Sequence, residues 1–271
     1  EPREMTGWRY IAASVAGSSH IDRGVPCQDA NVVDAIPVAG EDVLIAAVSD
    51  GAGSAARSAE GAQLVCEAFR RIMTTSLYSG NLLPMTEDRL RNVFQQVTAS
   101  LRAHADAQGI SVADFACTLL GAIVWREQIG CVQVGDGAIV AGLRGKYEPV
   151  FWPQAGEYLN TTNFLTDPSA LKRVEVAVRQ EAIEDLALFS DGLELLALHY
   201  GTRTAHAPFF QPMFSRLRQE TAAGFSTVVS GLLSDYLRSA LISDRTDDDK
   251  TLVLVAREVL PAHDPPEVVP A

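Results

Sequence analysis

The stretch Val43–Gly51, with the sequence Val-Leu-Ile-Ala-Ala-Val-Ser-Asp-Gly, decides the fold of this chain. Its first six residues are all apolar, which is typical of a short β-strand that is buried on both faces. The apolar run stops before Asp50-Gly51, so the strand is expected to end with a carboxylate at the rim of a sheet.

Four further acidic motifs are spread over nearly the whole chain, and most of them also adjoin an apolar run. They are Gln28-Asp29, Gly135-Asp136-Gly137, Ser190-Asp191-Gly192 and Asp247-Asp248-Asp249-Lys250-Thr251. Asp-Gly also favours hairpin turns, so any one pair taken alone is better explained as a turn. However, Asp50-Gly51 and Asp191-Gly192 each follow a serine and an apolar run, and each precedes a segment with a helical pattern. Strands that end side by side would gather these carboxylates at one place, and clustered carboxylates call for a cation.

Length and motif spacing favour one domain. The chain has 271 residues, of which 47% are hydrophobic, and its mean hydropathy is +0.08. The acidic motifs run from residue 29 to residue 248, so a boundary in the middle of the chain would split the site. We expect a domain over residues 7–257, with flexible termini at 1–6 and 258–271.

Composition excludes several classes of function. The net charge is −12 and the pI is near 4.8, so the protein would be repelled by the negatively charged phosphates of a nucleic acid. No apolar stretch is long enough to cross a bilayer and no signal peptide is evident, so a cytoplasmic protein without a membrane partner is expected. The four cysteines show no C-x-x-C pair and no histidine at zinc-ligand spacing, which favours free, buried thiols.

Hydrophobic periodicity predicts an α+β domain. Helical spacing is found over residues 62–73, where Ser54 or Ser58 could cap the helix, over residues 90–101, where Thr86 could cap it, and over residues 228–237. Strands are expected at residues 8–14, 32–36, 43–48, 119–125, 129–134, 139–143, 174–178, 186–189 and 252–255. Gly17–Pro26 is rich in turn residues, and residues 150–173 are expected to form an irregular loop that could act as a flap over the substrate.

The predicted ligands indicate the metal and the chemistry. Carboxylate oxygens without histidine or cysteine point to Mg²⁺ or Mn²⁺. Two such ions about 3.5–4 Å apart can hold a bridging hydroxide and clamp a phosphoryl group. This chemistry suits the hydrolysis of a phosphate ester.

With these acidic motifs, the chain resembles the metal-dependent type 2C protein serine/threonine phosphatases, and most closely a compact bacterial branch of that family. The resemblance covers about residues 8 to 256 through motifs in the family's order: Ser19-His20, Pro26-Cys27-Gln28-Asp29-Ala30, Ser49-Asp50-Gly51-Ala52-Gly53-Ser54, Phe115-Ala116-Cys117-Thr118, Gly135-Asp136-Gly137, Gly156-Glu157-Tyr158, Ser190-Asp191-Gly192 and Arg245-Thr246-Asp247-Asp248-Asp249-Lys250-Thr251. It implies a four-layer αββα sandwich, two antiparallel sheets flanked by helices, with the metal site in a cleft at one end.

The resemblance also implies the function and the metal ligands. Phosphoserine and phosphothreonine in proteins would be hydrolysed by a hydroxide bridging two ions of Mn²⁺ or Mg²⁺. Separately, we expect a monomer that acts on phosphorylated proteins, with a serine/threonine kinase as a candidate partner. The implied ligands are Asp29, Asp50, Gly51, Asp136, Asp191 and Asp248. Asp50 would bridge both ions, the carbonyl of the glycine after it would bind one, and Asp191 with Asp248 would complete the ligands of the first. Asp29 would act at the edge through metal-bound water, and Asp136 with Asp191 would hold a weaker third ion.

The chain departs from the family at three positions. Gln28 stands where most members have glutamate, which removes a negative charge. Gly24 stands where well-studied members have an arginine that grips phosphate, so Arg23 is predicted to replace it, with His20 second. Ala52 stands where many eukaryotic members have a histidine proposed as the proton donor, so His20 or a metal-bound water would serve. Arg23 and His20 therefore join Asp50, Asp191 and Asp248 as predicted catalytic residues.

Two alternatives are open at this point. Gly51–Ala56 matches the G-x-G-x-x-A outline of a dinucleotide-binding turn, although Asp50 would repel the pyrophosphate and no apolar strand ending in an acid follows the helix. The departures at Gln28, Gly24 and Ala52 also fit a pseudophosphatase that binds phosphoproteins with little turnover.

Overall fold

The computed structural model describes residues 7–154 and 162–257. Its strands are β1 (Arg9–Val15), β2 (Ala30–Val38), β3 (Glu41–Ser49), β4 (Leu119–Trp125), β5 (Gln128–Val134), β6 (Ala138–Leu143), β7 (Lys146–Pro149), β8 (Glu175–Gln180), β9 (Asp185–Phe189), β10 (Leu198–His199), β11 (Thr204–Ala205), β12 (Gly224–Phe225) and β13 (Lys250–Ala256). Its α-helices are α1 (Ser18–Arg23), α2 (Ser58–Tyr78), α3 (Glu87–Gln108), α4 (Ala170–Arg173), α5 (Glu194–Ala197), α6 (Ala207–Arg218), α7 (Thr227–Arg238) and α8 (Ala240–Ser243).

The strands form two large sheets. The five-stranded sheet has the order β2-β3-β4-β5-β8, and every pair in it is antiparallel. The six-stranded sheet has the order β12-β1-β13-β9-β6-β7 and is antiparallel except where β12 runs parallel to β1. β10 and β11 form a separate hairpin.

Three apolar layers hold four layers of secondary structure together. Phe69 of α2 and Phe94 of α3 are buried against the outer face of the five-stranded sheet. Leu44 and Leu188 belong to the core between the two sheets. Phe214 of α6 lies in the core that covers the other face of the six-stranded sheet. The predicted αββα sandwich is confirmed.

The burial of both faces of β3 explains why its sequence is apolar without interruption. Because successive side chains of a strand point to opposite faces, Val43 and Ile45 pack towards α2 and α3. Leu44 and Ala46 pack towards the second sheet. Each of these four side chains is fully buried, so the prediction of a strand covered on both faces is confirmed.

The predicted helix caps have mixed outcomes. Thr86 caps α3, because its hydroxyl accepts a hydrogen bond from the amide of Arg89. The prediction for α2 is wrong: the capping position is Arg57, whose side chain makes no capping hydrogen bond. Ser54 lies in the preceding turn, and Ser58 is already helical and buried.

Two irregular segments contain helices that the sequence analysis did not predict. Within Gly17–Pro26, helix α1 is bounded by Gly17 and by Gly24, whose positive φ of 65° closes its end. Within residues 150–173, α4 occupies the last turn, while residues 155–161 of the predicted flap lie outside the described residues. Helix α6 was also missed, because Pro212 inside it interrupts the helical pattern.

Among the described residues, no helix combines the length and the apolar character that a bilayer span requires.

Candidate metal centre

Five predicted acidic residues lie at strand ends or in the turn between strands. Asp50 directly follows β3, and Asp191 follows β9 after a single serine. Asp29 directly precedes β2, and Asp248 lies just before β13. Asp136 lies in the turn between β5 and β6, which passes from one sheet to the other. Carboxylate oxygens of Asp50, Asp136 and Asp191 all lie within 4.8 Å of one another. The fold therefore gathers acids from both sheets into one group.

Thr118 holds the end of β3 in place. Its hydroxyl accepts a hydrogen bond from the Asp50 amide at 2.9 Å, and its own amide donates to the Asp50 carbonyl at 2.8 Å. The hydroxyl of Ser49 donates to the Thr118 carbonyl at 2.6 Å. Thr118 is not among the predicted site residues, but its side chain fixes the backbone from which the Asp50 carboxylate projects.

Asp29 is linked to the end of β9. The Ser190 hydroxyl donates to Asp29 Oδ2 at 2.7 Å, and the Thr251 amide donates to the Ser190 oxygen at 3.0 Å. Ser190 thereby joins Asp29, at the start of a strand in one sheet, to two central strands of the other. The two sheets are therefore hydrogen-bonded to each other at Asp29, next in the chain to Ala30 of β2, and at Ser190, next to Asp191.

Asp249, rather than Asp248, is the buried carboxylate of its acidic run. It accepts hydrogen bonds from the Gly17 amide at 2.8 Å and the Gln28 amide at 2.6 Å, and one of its oxygens lies 2.8 Å from His20 Nδ1. This carboxylate therefore holds α1 and the approach to β2 against the start of β13. Asp248 is exposed beside it.

Gly192 is required by the same packing. A Cβ atom at this position would lie 2.0 Å from the carbonyl oxygen of Asp249, a distance that no side chain tolerates. The turn after Asp191 can therefore pass against the acidic run only because residue 192 is glycine.

Burial and mutual repulsion raise the pKa values of the gathered acids. Burial is the largest cause throughout. It raises the pKa of Asp29 to about 6, and with the charges of Asp136 and Asp248 it raises the pKa of Asp191 to about 8. The pKa of Asp50 lies well above its usual range because of burial and then the charges of Asp29, Asp191 and Asp136. Such shifts mark acids that favour either a proton or a cation.

Several buried oxygens in this region have no hydrogen-bond donor among the described residues. They are Gln28 Oε1, Asp29 Oδ1 and Asp136 Oδ1. Buried acceptors normally have a partner, and a hard divalent cation with its bound waters would supply one. An all-oxygen set suits Mg²⁺ or Mn²⁺, so the residues present fit the predicted ions.

Two further residues near Asp136 were missed by the sequence analysis. The Thr162 hydroxyl donates a hydrogen bond to Asp136 Oδ2. Glu194, in the first turn of α5, has its pKa raised to about 7 by burial and then by the charge of Asp136. Neither residue belongs to a motif, so only the folded arrangement reveals them.

The two residues predicted to bind the substrate phosphate or donate a proton, Arg23 and His20, lie on α1. His20 is buried, with Nδ1 directed at Asp249. Arg23 is exposed, and its Nε donates to the Ser19 carbonyl at 2.8 Å. Both lie on the helix that Asp249 anchors.

The dinucleotide-binding alternative is wrong. Such a site needs a strand that joins a parallel partner through its helix. Here β3 is antiparallel to both of its neighbours, β2 and β4. Gly51–Ala56 therefore joins β3 to α2 in a different architecture.

Comparison with known proteins identifies the family. The family described as Protein phosphatase 2C matches residues 16–238, which is most of the chain. This chain belongs to the protein phosphatase 2C family. A curated member, serine/threonine-protein phosphatase 3 of Escherichia coli (strain K12), is 36% identical over 248 residues, covering 91% of this chain and 97% of that protein. The predicted family and the predicted enzyme class, protein serine/threonine phosphatase, are confirmed.

Solved structures of protein phosphatase 2C enzymes share the fold. PppA, described as a key regulatory component of the T6SS in Pseudomonas aeruginosa, has a TM-score of 0.60 and 19% identity, covering 94% of this chain and 99% of that one. The serine/threonine phosphatase Stp1 from Staphylococcus aureus has a TM-score of 0.60 and 17% identity, covering 94% and 98%. At these identities the likeness supports the sandwich architecture, while the roles of individual site residues stay predictions.

Proposed function

We propose that this protein phosphatase 2C member hydrolyses phosphoserine and phosphothreonine in proteins with the help of two divalent ions, Mn²⁺ or Mg²⁺. The observation that carries the proposal is the group formed by Asp50, Asp136 and Asp191, whose carboxylate oxygens lie within 4.8 Å of one another. The raised pKa values of Asp50 and Asp191 support it, because these acids gain most from a bound cation.

Each acid has a proposed part in holding the ions. Asp50 would contribute to holding both ions and the Gly51 carbonyl would hold one, while Asp191 and Asp248 would complete the ligands of the first. Asp29 would act at the edge of the site through a water molecule, and Asp136 with Asp191 would hold a weaker third ion. When bound, the pair supplies a hydroxide nucleophile at neutral pH and neutralises charge on the phosphoryl oxygens.

Two groups on α1 serve the substrate. Arg23 binds the phosphate, and its guanidinium can present a fork of N–H groups to two phosphate oxygens. His20 or a water molecule gives a proton to the serine or threonine oxygen as it leaves. Asp249 orients the His20 ring through Nδ1, which makes His20 a candidate whose position is already fixed.

The second candidate is a phosphoprotein-binding protein with weak turnover. It is favoured by Gln28, which carries no charge where most of the family has glutamate and whose Oε1 is buried without a donor among the described residues. All the predicted aspartate ligands remain, so we favour the enzyme. Phosphorylated proteins are the partners in both cases, and a serine/threonine kinase that modifies them is a further one.

The test is phosphate release from a phosphothreonine peptide by chelator-treated protein, with and without added Mn²⁺. Turnover should require Mn²⁺, and Asp50→Asn should lower kcat by more than about 100-fold because the bridging ligand is lost. The exposed Asp235→Asn on α7 is the matched control and should keep full activity. Full activity of Asp50→Asn, or turnover without metal, would refute the proposal. Binding of the phosphopeptide without turnover would favour the second candidate.

A further inference from the structure

Three side chains form a surface that the proposed chemistry does not use, and we call Trp152, Tyr200 and Arg203 the rim shelf. The Trp152 and Tyr200 rings meet edge to face with their centroids 5.1 Å apart. The Arg203 guanidinium lies over the Trp152 ring, 5.2 Å from its centroid. Trp152 is half-buried, whereas Tyr200 is 46% exposed and Arg203 is exposed. The shelf therefore presents an aromatic edge and a cation to solvent.

Hydrogen bonds attach the segment that carries Trp152 to the turn that carries Asp136. The Trp152 carbonyl accepts a hydrogen bond from the Gln133 side chain at 3.2 Å. Two residues later, the Gln154 amide donates to the Gly135 carbonyl, and the Gln154 side chain accepts from the Gly135 amide. Gly135 directly precedes Asp136, so the segment that carries Trp152 is attached to the turn of a predicted ligand.

The other half of the shelf is connected to the centre from a second direction. The turn that begins at Asp191 continues through α5 into the hairpin of β10 and β11, which carries Tyr200 and Arg203. Strand β11 lies against β7, immediately before the Trp152 segment. Two connections therefore end at the shelf: the hydrogen bonds between Gln154 and Gly135, next to Asp136, and the chain that runs from Asp191 through α5.

A second exposed arginine that is stacked on a tryptophan shows one partner that such an arginine can take. At the far end of β4 and β5, Arg126 lies over the Trp125 ring, 4.5 Å from its centroid, and its Nε donates to Glu41 at 2.6 Å. Arg126 and Arg203 share the same left-handed backbone, with φ of 53° and 54°. Among the described residues, no carboxylate pairs with Arg203. A carboxylate from another molecule would complete the same arrangement.

We propose that the rim shelf binds an acidic side chain of the phosphoprotein substrate, close in sequence to the phosphorylated residue. An arginine fork over an aromatic ring suits a carboxylate. The net charge of −12 and the neighbouring acids would otherwise repel such a substrate, so a cation at the rim has a large effect on which sequences can approach. The proposal rests on the proposed phosphatase function and adds a substrate preference to it.

The test compares phosphothreonine peptides of one length that carry a single glutamate at each position within roughly four residues of the phosphothreonine, a span set by the reach of an extended chain. The reference peptide carries glutamine instead. One or two neighbouring positions should raise kcat/KM about three- to tenfold over the reference, mainly through KM. Arg203→Gln should remove this preference, and Arg203→Lys should keep part of it, because lysine keeps the charge but loses the fork.

Arg126→Gln is the matched control, since it removes another exposed arginine stacked on a tryptophan, at the far end of β4 and β5, and should leave the preference intact. A small aryl phosphate, too short to reach the shelf, should be hydrolysed equally by all variants. An unchanged preference in Arg203→Gln, or no preference in the unmodified protein, would overturn the rim shelf. If the unmodified protein hydrolyses neither peptide nor aryl phosphate, the proposed function fails instead, and fluorescence anisotropy of the same peptides then measures the shelf's preference as a ratio of Kd values.

Discussion

Replacing Asp191 by asparagine should stabilise the metal-free protein, although it should abolish activity. The carboxyl has a pKa of about 8 in the folded state, raised first by burial and then by Asp136 and Asp248. The ordinary value is 3.8, so at pH 7.5 the shift corresponds to at most about 5 kcal/mol against folding, at about 1.4 kcal/mol per unit. An asparagine must also be desolvated, so we expect about 2 kcal/mol to be recovered, or a rise in Tm of roughly 4–8 °C for a domain of this size.

The dependence on pH follows from the same shift. Because the pKa is raised in the folded state, the folded protein binds more protons than the unfolded chain between about pH 4 and pH 8, and its stability falls as the pH rises through that window. The advantage of Asp191→Asn should therefore be largest near pH 8 and disappear towards pH 4.

Thermal unfolding of chelator-treated proteins, followed by circular dichroism, measures this effect. Asp235→Asn, on the exposed face of α7, removes one charge elsewhere and should leave Tm nearly unchanged. Adding Mn²⁺ should raise the Tm of the unmodified protein and have little effect on Asp191→Asn, because only a protein that binds the ion is stabilised by it. A lower Tm for metal-free Asp191→Asn than for the unmodified protein would refute the reasoning.

Three other substitutions test separate features. Arg23→Ala should raise KM for a phosphopeptide several-fold with little change in kcat, since it removes a ground-state phosphate contact; an unchanged KM would place the phosphate contact elsewhere. Gly192→Ala should lower the free energy of unfolding by more than about 2 kcal/mol, because its Cβ would lie 2.0 Å from the Asp249 carbonyl oxygen, and urea unfolding with wild-type-like stability would contradict that contact. Burial is the chief cause that raises the pKa of Asp185 to about 6. The stability of the unmodified protein should therefore fall, relative to Asp185→Asn, as the pH rises from about 4 to 6. The difference between their free energies of unfolding should change by about 2 kcal/mol over that range. A difference that does not vary with pH would show that burial does not shift this group.

The features that could be predicted from sequence are those that depend on residues adjacent in the chain. The apolar run before Asp50 is explained by burial on both faces of one strand, and acids such as Asp191 were placed at strand ends because they adjoin such runs. The role of Asp249 could not be predicted, since its partners Gly17 and Gln28 are 232 and 221 residues away along the chain. Within a run of three aspartates, local pattern does not distinguish the buried carboxylate from the exposed one.

Proline and stacking interactions account for other omissions. Helix α6 was missed because Pro212 breaks the local helical signal, while the apolar contacts of residues such as Phe214 hold the helix in place. In the rim shelf, Trp152 contacts Arg203, which lies 51 residues further along the chain. Such pairs depend on the folded sheets and leave no local signature.

The central position of β13 means that the six-stranded sheet is completed last during synthesis. This strand lies between β1 and β9 and is made after every other described element. During synthesis, β1 and β9 therefore each keep an unpaired edge until residues 250–256 are available, and Asp248 becomes available with them. Completion of the second sheet and the arrival of the proposed ligand Asp248 therefore fall in the same step, and until then the unpaired strand edges are the part of the sheet most open to wrong pairing.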